Sequence, residues 1–303
     1  MNVSSANVTS TSYRDSPSKA VIKNVIVVAL GISIIYINSS LIHIFRKHQI
    51  FYTKPRYILF IHLVINDMIQ LTMTAILFLL SYIVNKINVS SCCVLILIAL
   101  FTTENTPLNL ACMAVERYIA ICVPLRHTQI CTIKRTLVLI ALIWLRSLCS
   151  VLPDLFVTLA TESLSFFKSQ VFCLRETVFP NHHLTKKRDY SHIVYLIIIS
   201  LTIAYTYFRI MFTAKAADKD TKKARNTILL HGVQLVLCMG AYVTSALSNA
   251  VRQWFPKSFA DSLFAGYIIV QILPRSISPI IYGLRDSTLR RYLRKHFVCL
   301  RST

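Results

Sequence analysis

Seven stretches of the chain are predominantly apolar over long lengths. They run from Val25 to Phe45, Tyr57 to Asn85, Cys92 to Val115, Thr136 to Ala160, Tyr190 to Phe208, Asn226 to Val251 and Ser262 to Leu284. A helix rises about 1.5 Å per residue, so about 20 apolar residues cross the roughly 30 Å of hydrocarbon in a bilayer. Lipid offers no hydrogen bonds, so each stretch must satisfy its backbone internally, as an α-helix does. The pattern predicts an all-α membrane protein, a seven-transmembrane helix bundle. Connections are short and leave no room for a soluble domain. Residues 1–303 therefore read as one domain: an outer tail over 1–19, the bundle over 20–285 and an inner tail over 286–303. No internal repeat suggests a transporter of two related halves.

Beyond the seventh stretch the spacing changes. Asp286 is a plausible N-cap, and Leu289, Tyr292, Leu293, Phe297 and Leu300 recur at helical intervals, with Arg290, Arg291, Arg294 and Lys295 on the other face. This predicts a short amphipathic eighth helix on the inner leaflet. Cys299 within it reads either as a palmitoylation site or as a free thiol.

Composition agrees with the pattern. Hydrophobic residues make up 55% and charged residues 15%, with mean hydropathy +0.58, against about 45–50% and 25% in soluble domains. The chain holds 33 Lys+Arg against 12 Asp+Glu, a net +21. That excess would suggest nucleic acid in a soluble chain, so its placement decides. Basic residues are denser in the segments that an outside N-terminus would put inside, which fits the positive-inside rule. Lys186, Lys187 and Arg188 make the second outer loop basic as well. The charge thus belongs to a membrane face, and no nucleic-acid partner is expected. The first 19 residues are polar and lack an apolar core, so the first span is expected to act as the targeting signal. Sequons at Asn2 and Asn7 fall outside in this topology and are expected to be glycosylated. A third, at Asn88, hugs the membrane and is expected to be poorly modified.

Charges within the spans are the sharpest local signals, because each costs at least about 2.5–3.5 kcal/mol at mid-span unless paired. Asp67 and Arg275 lie at matching depth, roughly 14–15 Å from the inner ends of their spans, and are expected to pair. Glu104 and Arg146 both lie near mid-span on the third and fourth spans. Either Glu104 is a counter-ion for a cationic ligand, or it pairs permanently with Arg146; the second reading is favoured. His62, His192 and His231 are isolated and read as uncharged polar contacts. Ala99, Thr103 and Thr106 repeat at helical spacing on the face that carries Arg117, giving a small, weakly polar wall suited to a small amphiphile. No span carries a His-Glu-x-x-His pair and five glycines make no phosphate loop, so neither enzyme nor metal or cofactor site is expected.

The most specific string runs Met113-Ala114-Val115-Glu116-Arg117-Tyr118-Ile119-Ala120-Ile121-Cys122-Val123-Pro124-Leu125-Arg126-His127. It resembles the odorant-receptor branch of the rhodopsin-like (class A) G-protein-coupled receptors. The resemblance extends along nearly the whole chain: Asn38, Pro55-Arg56-Tyr57, Asp67, Trp144, Tyr205, Lys223-Ala224 and the run from Ser278-Pro279-Ile280-Ile281-Tyr282 to Asp286 fall where that family has them. The Glu-Arg-Tyr form and the Tyr-Gly-Leu-Arg-Asp ending look most like fish odorant receptors. Ser278 and Met239 replace the usual Asn and Tyr, and the extra outer-loop cysteines of mammalian members are missing. Both replacements touch switch positions.

The resemblance implies a receptor for a small odorant from outside that activates a stimulatory, olfactory-type heterotrimeric G protein inside, in the plasma membrane of olfactory cilia. It implies a Cys92–Cys173 disulfide, a pocket that includes Tyr242, Ala246 and Gln271, and a switch built from Glu116, Arg117, Tyr118, Tyr205, Pro279 and Tyr282. Glu116 is expected to hold its neighbour Arg117 at rest. Two alternatives are a rhodopsin-like receptor for an internal amine or lipid, which the Met-Ala-x-Glu-Arg-Tyr string opposes, and a seven-span transporter or channel.

Overall fold

The protein is seen here as a computed structural model, which describes residues 17–84, 86–216, 229, 232–233, 236, 259–277, 286 and 288–294. Most of the sixth stretch lies outside these residues, as do Asn2, Asn7, Lys223, Ala224, His231, Met239, Tyr242, Ala246, Ser278, Pro279, Tyr282 and Cys299.

Among the described residues, five helices are long and apolar enough to cross a membrane: α1 (Pro17–Lys47), α2 (Pro55–Ile83), α3 (Val89–Cys122), α5 (Ile133–Thr161) and α8 (His182–Ala216). Short helices α4 (Pro124–Ile130), α6 (Leu164–Lys168) and α7 (Arg175–Val178) lie in the connections. A later helix, α9 (Phe259–Gly266), runs directly into a π-helical stretch over Tyr267–Ile272.

Several helices overrun the apolar stretches that predicted them. α1 starts eight residues before Val25, and α8 starts eight before Tyr190. Polar residues at a membrane boundary reach water and can extend a helix at no desolvation cost, so hydropathy marks the hydrocarbon and misses the protruding turns. Lys186 and Lys187, expected in a loop, are therefore helical and exposed, and Arg188, expected there too, is helical but buried.

Helix starts follow local chemistry. Pro55 and Pro124 take the first helical positions, where no N–H is missed. Asn88 Oδ1 accepts from Ser90 N–H at 3.0 Å to cap α3, and Thr132 Oγ1 accepts from Arg135 N–H at 3.3 Å to cap α5. Asn88 is thus a capping residue at a helix start.

α3 packs against α2, α5 and α8 and is the centre of the bundle. The largest apolar cluster is at the inner end, where Phe45, Phe51, Tyr57 and Phe60 meet Leu289, which is fully buried. Residues 288–294 are helical; Asp286 Oδ1 accepts from the N–H groups of Thr288 and Leu289 at 3.0 and 3.1 Å. Tyr57 donates its hydroxyl to Asp286 Oδ2 at 2.9 Å, and Arg56 Nη2 lies 3.2 Å from the same oxygen. Arg290, Arg291 and Arg294 are exposed on the opposite face.

Candidate functional site

At the outer end, a disulfide joins Cys92 to Cys173. Beside it, two-residue strands β1 (Ile87–Asn88) and β2 (Gln170–Val171) pair antiparallel. Cys92 and Cys93 are buried in a cluster with Ile96, Val178 and Phe179. The second outer loop is thereby fixed to the start of α3 by covalent, backbone and apolar contacts at once.

The middle of the bundle is polar, and a hydrogen-bonded network runs through it. Asn66 Nδ2 donates to Thr102 O at 2.9 Å and to Thr106 Oγ1 at 3.0 Å; Asn105 Nδ2 donates to Asn66 Oδ1 at 3.2 Å; and Ser147 Oγ donates to Asn105 Oδ1 at 2.6 Å. These residues knit α2, α3 and α5. Thr106 is only 1% exposed and faces this network, which removes it from the pocket wall expected of it. Thr103 remains partly accessible; its hydroxyl donates to Ala99 O at 2.7 Å and accepts from Gln70 Nε2 at 2.7 Å. Gln70 also reaches Gln271 Oε1 at 3.5 Å, so Ala99, Thr103 and Gln271 form one hydrogen-bonded corner between α2, α3 and the π-helical stretch. Sequence reading missed Gln70 because it considered helix faces one at a time. Trp144 Nε1 donates to His62 Nε2 at 2.9 Å, which requires that ring nitrogen to be unprotonated.

Glu104 is held by Arg146. Arg146 Nη1 donates to Glu104 Oε2 at 2.7 Å, Ser150 Oγ donates to Oε1 at 3.0 Å, and His192 Nδ1 is 3.8 Å away. The guanidinium stacks over Tyr195 at 3.7 Å, and the Tyr195 hydroxyl donates to the Glu104 backbone carbonyl. The favoured one of the two readings is the arrangement found. About two turns along α5 from Arg146, Asp154 pairs with Arg188 of α8, both at least nine-tenths buried. Asp154 is an intramembrane acid that the sequence reading overlooked.

Asp67 and Arg275 are both buried, yet no ion pair among the described residues joins them. Arg275 Nη1 donates instead to the Val270 carbonyl at 2.8 Å. The reason is local. Pro274 has no N–H, so the Val270 carbonyl four residues earlier loses its ordinary helical donor, and Arg275 supplies one.

The inner end also differs from expectation. Glu116 is 7% exposed and contacts His127 Nε2 at 3.2 Å; no ion pair among the described residues joins it to Arg117. Consecutive helical residues point about 100° apart, so Glu116 turns toward α4 while its neighbours turn elsewhere. Tyr118 meets Tyr205 of α8 with ring centroids 6.1 Å apart, and Cys122 Sγ reaches Thr213 Oγ1 at 3.3 Å. These contacts join the last turns of α3 to α8.

Comparison with known proteins bears on this geometry. The sequence matches the family described as 7 transmembrane receptor (rhodopsin family) over residues 37–282. It is 29% identical over 279 residues to Odorant receptor 131-2 of Danio rerio, covering 90% of this chain and 84% of that one. To Olfactory receptor 1073 of Rattus norvegicus it is 30% identical over 206 residues, 62% of this chain and 61% of the other. To Melanopsin of Branchiostoma belcheri it is 25% identical over 224 residues, which covers only 30% of that protein. The chain is similar to odorant receptors and belongs to the rhodopsin family of seven-transmembrane receptors, a multi-pass membrane receptor and not an enzyme.

Proposed function

We propose that the protein is an odorant receptor that binds a small extracellular amphiphile inside the helix bundle and activates a stimulatory, olfactory-type heterotrimeric G protein. The observation that carries this reading is the likeness to a zebrafish odorant receptor along 90% of the chain. The ligand lies against Ala99, Thr103 and Gln271, with Tyr242 and Ala246 of the sixth apolar stretch as further candidate contact residues. With Glu104 neutralised by Arg146, this pocket favours an uncharged ligand over a cation. Ligand binding frees the inner end of α3, where Arg117, Tyr118 and Tyr205, with Pro279 and Tyr282 of the seventh span, form the G-protein face. The N-terminal tail is extracellular and glycosylated at Asn2 and Asn7, the segment after Asp286 lies as an amphipathic helix along the inner leaflet, and the receptor works in the plasma membrane of olfactory cilia.

The test is an odorant screen in cells reporting cyclic AMP, repeated with Arg117→Ala. The expected result is a response from the unaltered receptor that the variant loses at equal surface level. A variant that signals normally at matched expression would remove Arg117 from the switch.

A further inference from the structure

A cavity of about 540 Å³ opens at the inner face between the first inner connection, the end of α3, α4 and the start of α5. Its walls include Lys54, Arg56, His127, Thr132 and Glu116. Most of these groups favour an anion. Lys54 and Arg56 are cationic. Thr132 caps α5, so the positive end of a 29-residue helix points here. The one acid, Glu116, already has an oxygen against His127 at 3.2 Å. Arg56 uses Nη2 for the Tyr57 hydroxyl and Asp286, but its Nε is buried with no acceptor. A buried donor left unmet is costly.

Depth narrows the ligand further. The cavity lies at the inner ends of α2, α3 and α5, level with the headgroups of the cytoplasmic leaflet. Basic pockets between helices at that level suit phosphorylated headgroups. The volume exceeds what a monatomic anion or a lone phosphate fills. We propose that this cavity binds a multiply phosphorylated inositol group, presented by an inner-leaflet phosphoinositide or free in the cytoplasm, through Lys54 and Arg56. Because His127 both lines the cavity and holds Glu116, occupancy bears directly on the residue that precedes Arg117.

The test uses the purified full-length receptor in three settings: phosphatidylcholine vesicles carrying phosphatidylinositol 4,5-bisphosphate, vesicles carrying phosphatidylserine at equal total charge, and phosphatidylcholine vesicles with soluble inositol 1,4,5-trisphosphate. The phosphoinositide is expected to bind more tightly than phosphatidylserine. Lys54→Gln should weaken it about fivefold, the effect of one cation near an anionic headgroup, while Arg290→Gln on the exposed tail leaves it unchanged. Lys54→Arg must retain the affinity, which separates loss of the site from loss of the fold. Tight binding of the soluble trisphosphate with no advantage for the lipid assigns the site to the free phosphate. Equal binding of phosphatidylserine with no binding of the trisphosphate overturns the proposal, as does an equal loss from Lys54→Gln and Arg290→Gln.

Discussion

Arg275 works on its own helix. Its guanidinium answers the Val270 carbonyl that Pro274 leaves unmet, so its partner is a backbone dipole. Arg275→Leu should lower thermal stability by about 1–3 kcal/mol, the penalty of a buried group left unsatisfied. Adding Pro274→Ala returns a backbone N–H to Val270 and should recover much of that loss in detergent melting curves; adding Asp67→Asn should recover none. Recovery by Asp67→Asn alone would mean that the two charges do meet. The sequence could not reveal this arrangement. Depth along a helix is readable from residue counts, which is why Glu104 and Arg146 could be matched, but the direction of a long side chain depends on what lies within its reach. Asp154 was missed for a related reason: it lies within two turns of the outer end of its span, where an acid reads as wet until α8 is seen to bring Arg188 onto it.

Between helices, the two ion pairs from α5 do most of the directional work. Arg146 ties α5 to α3, and Asp154 ties it to α8, in a setting where apolar side chains alone would slide against one another as readily as against lipid. Removing one partner strands a buried charge. Asp154→Asn or Arg188→Gln alone should therefore each cost about 3–5 kcal/mol, and the double variant should be more stable than either. A double-mutant cycle on surface level or melting temperature measures this, and strictly additive losses would show that the residues act separately. Element positions were legible from hydropathy for all five long helices, since only a helix satisfies its backbone in lipid. Their ends were not, because the helical turns that protrude into headgroups and water carry polar residues, as Lys186 and Lys187 do. The π-helical stretch at Tyr267–Ile272 had no signal in periodicity, although Pro274 just after it marks where regular hydrogen bonding must change.

Across the whole molecule, the two faces are stabilised by different means. The outer face has its disulfide, while the inner face relies on Asp286, where the start of α2 meets the residues after the seventh span. Burial works to raise the Asp286 carboxyl, but the Leu289 N–H, the Tyr57 hydroxyl and Arg56 outweigh it and hold it below the ordinary aspartate value of 3.8. A carboxylate lowered in this way stabilises the fold above its unfolded value and loses that contribution as pH falls through its folded value. Stability of the purified receptor should thus drop as pH falls below about 4, and Asp286→Asn, which keeps the cap, should flatten that slope. An unchanged slope would place the acid sensitivity elsewhere. One further consequence belongs to α3. At 34 residues it is a rod of roughly 51 Å. Its outer end is clamped by Cys92–Cys173 and the β1–β2 pair, and Pro107 interrupts its backbone ladder midway. Such a rod resists sliding like a piston, because any axial shift drags the outer loop with it, yet below Pro107 it can turn like an axle. Torsion of the inner half would carry Glu116 off His127 and swing Arg117 and Tyr118 through the same angle while the disulfide holds the other end of the helix.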